Sequence, residues 1–111
     1  MNTFKYRTWY LDNDLQVRGW VPSNSDIGVT KLTLDVLKPR EISITDLALA
    51  LGEIKGINNV EIYVTEVDAK TETLKITISG WNIPPEEIEE LINKYGSIRS
   101  IDAVVVSRKR Q

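Results

Sequence analysis

Lys31-Leu-Thr-Leu-Asp-Val-Leu-Lys-Pro-Arg-Glu41 is the stretch whose reading decides the fold. Leu32, Leu34 and Val36 alternate with Thr33, Asp35 and Leu37, the period of a strand with one face buried. Pro39 has no N–H to give a ladder, so it ends the strand. The stretch is therefore the first, central strand of a small sheet, followed by the turn into a helix.

Downstream, Ser43 is the N-cap expected to open that helix, with Asp46 at its positive end and Ile42 facing Leu47 as a hydrophobic staple. Ile44, Leu47, Ala48, Leu51 and Ile54 form one stripe, and Gly56 is the expected stop. A second strand is predicted over 59–67, with Val60, Ile62 and Val64 inward. The polar reversal Asp68–Glu72 follows. A third strand is predicted over 73–79, with Leu74, Ile76 and Ile78 inward. Pro85, Glu86 and Glu87 suit the start of a second helix, with Ile83 and Ile88 at staple spacing. Its stripe is Ile88, Leu91, Ile92 and Tyr95, and Gly96 closes it. The β-branched run 98–107 is the last strand.

The order from Val29 is β-α-β-β-α-β. Right-handed crossovers turn that order into an α+β, ferredoxin-like sandwich, an antiparallel sheet of order 4-1-3-2 with both helices on one face. The other face should carry Thr33, Asp35, Leu37, Tyr63, Thr65, Lys75, Thr77, Asp102, Val104 and Val106. Leu37, Val104 and Val106 are too apolar for comfortable exposure, so a covering partner is expected.

Upstream, residues 1–28 read as an N-terminal β-hairpin and linker, and 29–111 as the ferredoxin-like domain. Five of the eight aromatics fall in the first part: Phe4, Tyr6, Trp9, Tyr10 and Trp20. Strands over 3–11 and 15–21 would flank the turn Asp12-Asn13-Asp14. Trp9 would then face Arg18, and Arg7 would face Trp20, as cross-strand cation–π pairs. Tyr6, Tyr10, Val17 and Val21 would line the other side. A lone hairpin is marginal in water, so it must dock on something.

The chain has no cysteine and no histidine. That removes disulfides, thiolate metal sites, cysteine nucleophiles, the commonest general base and the commonest transition-metal ligand. Carboxylate, lysine, tyrosine and hydroxyl chemistry remain, with oxygen-loving cations such as calcium or magnesium. The net charge is −2, so no basic field draws nucleic acid. The basic run Arg108-Lys109-Arg110 reads as a solvated end. No apolar run is long enough for a membrane helix, and the first residues lack a signal-peptide core, so a cytoplasmic protein is expected.

Leu34-Asp35-Val36-Leu37-Lys38-Pro39, Glu66-Val67-Asp68 with Thr71-Glu72 and Lys75-Ile76-Thr77-Ile78, and Ser100-Ile101-Asp102 with Val104-Val105 together resemble a small, mainly archaeal family. It is the two-hundred-and-eleventh domain of unknown function. The resemblance covers about residues 31–108. It implies a ferredoxin-like fold, assembly into closed homo-oligomeric rings and no established activity. The family pattern often has histidine where this chain has Arg40 and Arg99, and an acidic residue where it has Ala103. The hairpin has no counterpart in that pattern. Two origins fit: an engineered ring scaffold, or a natural homologue with an extension.

Asp35 and Asp102 are the first site candidates. They sit on neighbouring strands of the open face, where paired carboxylates share a proton or hold a metal. Ion pairing with Lys38, Lys75 or Arg99 at an interface is the competing reading. Glu66, Asp68 and Glu72 are weaker calcium candidates, without the spacing of an EF-hand loop. Lys38, Arg40 and Arg99 are the candidate anion-ligand residues. Acylphosphatases and copper chaperones share the topology, but the catalytic asparagine and the Cys-x-x-Cys have no counterpart here. RNA-recognition domains stack bases on third-strand aromatics, and this third strand has none. The expectation is a non-catalytic protein without cofactors whose main partner is itself. The interface candidates are Tyr6, Trp9, Tyr10, Trp20, Leu37, Tyr63, Val104 and Val106. The alternatives are a regulatory small-molecule or calcium-binding domain with an inter-subunit site and, behind it, nucleic-acid binding.

Overall fold

The computed structural model describes residues 26–109. The expected hairpin, with Tyr6, Trp9, Tyr10 and Trp20, lies outside the described residues, as does Arg110. Six elements follow one another: β1 (Ile27–Pro39), α1 (Ile44–Gly52), β2 (Ile57–Val67), β3 (Thr71–Gly80), α2 (Pro85–Ile92) and β4 (Ser97–Arg108). The four strands form one antiparallel sheet in the order β2-β3-β1-β4. This is the expected order read from the other edge.

The alternation around Leu32 sets the core. Leu32, Leu34 and Val36 of β1 and Leu74, Ile76 and Ile78 of β3 are all buried, and their register places them side by side. Leu47, Leu51 and Ile54 cover them from α1 and the turn after it. Ile83, Ile88 and Ile92 cover them from α2 and its approach. Each such aliphatic contributes about 1.5–3 kcal/mol by leaving water. α1 lies over β2 and packs against α2, which reaches β4. Both helices therefore share one face of the sheet.

The Ser43 side chain accepts from the Asp46 amide at 3.2 Å, the cap expected of it. α1 ends at Gly52, however, and not at Gly56. The Glu53 amide turns back to Ala50 and Leu51, and the Ile54 amide donates to Leu51 O. Gly56 instead holds φ +98°, the left-handed corner that aims the chain into β2. A Cβ there would also stand 2.9 Å from the Trp81 carbonyl oxygen. α2 starts at Pro85 as expected but stops at Ile92, so Tyr95 packs on the core from beyond the helix.

The strands extend further than the sequence pattern implies. β1 begins at Ile27, because Ile27 and Gly28 pair with Arg108 and Ser107. β3 begins at Thr71, because Thr71–Thr73 pair back onto Pro39–Leu37. Val64 lies opposite inward-facing Leu74, yet it is 40% exposed at the sheet edge.

β4 holds the largest correction. Ser100 lies opposite Asp35 and Ile101 opposite Leu34, but Ala103, not Asp102, lies opposite Thr33. The extra residue is a β-bulge, and it changes which side the following residues face. Val104 falls opposite buried Leu32 and Val106 opposite Val29, so both share the helix side of the sheet. They are not on the open face with Asp102, as unbroken alternation implied. No helix among the described residues shields them. Ile101, Val104, Val105 and Val106 are 46%, 53%, 43% and 54% exposed.

Candidate functional site

The open face of the sheet carries the expected carboxylates. Asp35 stands at the centre, opposite Lys75 of β3 on one side and Ser100 of β4 on the other. The bulge at Asp102 turns its carboxylate over this group. Ser100 Oγ donates to Asp102 Oδ1 at 2.6 Å, and Lys75 Nζ lies 3.2 Å from Asp102 Oδ2. The Ser100 hydroxyl, followed by Lys75, holds the Asp102 carboxyl below the usual carboxylate range. The group is thus an ion-paired polar ladder across three strands. Tyr63 continues the face outward on β2, and its hydroxyl donates to Glu61 Oε1 at 3.2 Å.

A second polar feature lies at the end of β1. Lys38 takes the inward position after Val36 and is 1% exposed. Its ammonium lies 2.7 Å from Glu72 Oε1 and donates to the Pro39 carbonyl at 3.0 Å. Lys38 and Glu72 are direct cross-strand partners. Glu72 is therefore part of β3, committed to a buried lysine, and not a turn residue free for calcium. Glu66 and Asp68 are exposed, and among the described residues no three acidic groups converge in metal-binding geometry. Of the anion-ligand candidates, Lys38 is held by Glu72, while Arg40 and Arg99 are exposed on a turn and on the sheet edge. No hydrogen bond or ion pair among the described residues joins the three.

Lys38 continues the strand's period-two pattern, a signal that it belongs inside. Its neighbour Pro39 made the pair read as a loop. Sequence reasoning also missed Leu49, a leucine off the apolar stripe of α1 and 67% exposed. Leu49 borders a groove of about 570 Å³ between α1 and β2, lined also by Ile44, Ala48, Val60 and Ile62. The groove lies on the helix side at the β2 edge. The exposed row of β4 lies on the same side at the opposite edge.

The element order, the strand order and an ion-paired sheet face define a small α+β protein. The chain belongs to the DUF211 family, described as uncharacterized ArCR, whose pattern matches residues 30–110. It is similar to an uncharacterized protein of Methanocaldococcus jannaschii. The two are 46% identical over 83 residues, 74% of this chain and 86% of that one. Among the described residues, no helix is long and apolar enough to cross a membrane.

Proposed function

We propose that the chain is a non-catalytic, ferredoxin-like protein of the cytoplasm that assembles with copies of itself, closing into a ring. The observation that carries this reading is the aliphatic row Ile101, Val104 and Val106 on the helix side of β4, three side chains each more than two-fifths exposed. Exposed apolar residues scattered singly need no partner, but a contiguous row at a sheet edge calls for a cover. The polar ladder of Asp35, Lys75, Ser100 and Asp102 serves the scaffold in this reading, as an organised surface beside the contact. Light scattering on the full chain tests it. The expected mass is an integral multiple of 12.6 kDa. A monodisperse monomer at micromolar concentration overturns it.

A further inference from the structure

We propose that the pocket between the connections 53–56 and 81–84 binds a neutral sugar ring. The ring stacks on Trp81, and its hydroxyls meet Lys55, Asn58, Asn82 and Glu87. This goes beyond the self-assembly reading and does not rest on it.

The backbone builds the pocket. The Trp81 amide donates to Gly56 O at 2.9 Å, which ties the connection after β3 to the one after α1. A Cβ on Gly56 would stand 2.9 Å from the Trp81 carbonyl oxygen, and one on Gly80 would stand 3.0 Å from the Asn58 amide nitrogen. Glycine at both places lets the two connections close this far. Asn82 then takes φ 53°, a left-handed conformation that asparagine adopts more readily than most residues. The Ile83 amide donates to Val29 O at 3.0 Å, and the Ile83 side chain is buried in the core. Trp81 is therefore held between anchored neighbours, half-buried, at the end of the sheet opposite Lys38.

The space beside it is about 600 Å³, lined by Lys55, Asn58, Trp81, Asn82, Pro84 and Glu87. That volume is within the usual range for small-molecule sites. The four polar side chains around the indole are an ammonium, two carboxamides and a carboxylate. Among the described residues, none of the four holds a side-chain hydrogen bond or an ion pair. The polar groups of the open face differ, because Ser100, Asp102 and Lys75 are engaged with one another.

A pyranose fits this set of groups. Its ring has an apolar C–H face that an aromatic side chain can cover. Around that face lie hydroxyls, each of them donor and acceptor at once. A carboxamide offers a donor and an acceptor side by side, the carboxylate takes donors and the ammonium takes acceptors. A purely apolar ligand would leave all four unpaired. Charge speaks against a phosphate-bearing ligand. Glu53 and Glu86 adjoin the pocket in sequence, so Lys55 stands against three glutamates. Proteins that stack nucleotides on aromatics surround them with positive charge, and this pocket does the reverse.

Saturation-transfer NMR on the full chain tests the proposal. The probes are the methyl glycosides of β-glucose, β-galactose and α-mannose, with adenosine monophosphate as the charged comparison. A dissociation constant on the order of 1 mM is expected for ligands this small. At least one glycoside should take up saturation, strongest on the C–H protons of one ring face. Trp81→Ala should abolish the uptake, and Trp81→Phe should keep part of it. Asn82→Gly keeps the left-handed backbone while removing the carboxamide, and should weaken binding about 3–10-fold. Uptake that all three variants leave unchanged would put the sugar elsewhere and overturn the site. Silence from all three glycosides overturns it as well. Uptake by adenosine monophosphate alone, lost in W81A, would make the pocket a nucleotide site and overturn the sugar. None of these outcomes depends on the mass of the assembly, so the two readings stand or fall separately.

Discussion

Lys38 occupies a place where an aliphatic residue would follow Leu32, Leu34 and Val36. Its stem adds to the core, and its ammonium is held by Glu72 and by Pro39 O. The two ends of this pair are not equivalent. Glu72→Gln leaves a buried cation with its carboxylate gone, a loss on the order of 3 kcal/mol. Lys38→Met keeps the stem and leaves Glu72, which is 20% exposed, in reach of water. The second change should cost about 1 kcal/mol or less, since a hydrophobic isostere often replaces a buried ion pair at little cost. Urea midpoints at unchanged slope give both values. Equal losses would mean the pair is not what holds Lys38 in place. Asp102 gives the matching experiment on the open face. Its carboxyl is depressed below 3.8 by Ser100 first and Lys75 second. A depressed folded-state value means stability present above the unfolded value and lost as pH falls through the folded one. Ser100→Ala and Lys75→Met should each move the Asp102 titration, followed by NMR at the side-chain carboxyl carbon, upward. A titration that stays put in both variants would mean that neither partner sets it.

At the scale of elements, β1 and β3 were legible because nothing interrupts their period of two. Leu32-Thr-Leu-Asp-Val and Leu74-Lys-Ile-Thr-Ile give both the faces and the core without ambiguity. β4 was not legible in the same way. Ile98, Ile101 and Val104 are spaced by three, which a regular strand cannot keep on one face. That spacing is the trace of the two extra residues, Arg99 and Asp102, that shift its register against β1. Read as a bulge signal, it would have put Val104 and Val106 on the helix side. The ends of α1 show a related limit. Two glycines, Gly52 and Gly56, both fit a helix stop, and only the backbone tells them apart. Gly56 has φ +98° with the Trp81 carbonyl close by, whereas a Cβ on Gly52 meets nothing within 4 Å. Gly56→Ala should therefore lower stability by about 1–3 kcal/mol. Gly52→Ala should leave it unchanged or raise it by up to about 1 kcal/mol through helix propensity. Thermal melts of the two variants measure the contrast, and a neutral Gly56→Ala would show that the corner can relax.

For the whole molecule, the net charge of −2 hides an uneven distribution. Acid gathers on β2 and base on β4, at opposite edges of the same sheet. A charge asymmetry of this kind steers approach more than it holds a finished contact. In the proposed self-assembly the aliphatic row is the group that would lose water, and added salt would not screen that term. Two consequences separate on the clock. Raising ionic strength from about 0.01 M to 0.1 M shortens the screening length from about 30 Å to about 10 Å. Association after dilution and reconcentration, followed by light scattering, should slow over that range by about tenfold or less. Dissociation should change little. Glu61→Gln with Glu66→Gln removes the acidic edge. It should slow association at low salt to the wild-type rate at high salt, and leave the final mass as it was. A double variant whose association still slows with salt would place the steering charges elsewhere. A double variant that no longer assembles at all would mean that the glutamates are buried in the contact and bonded there, so that the acidic edge holds the copies together as well as guiding them in.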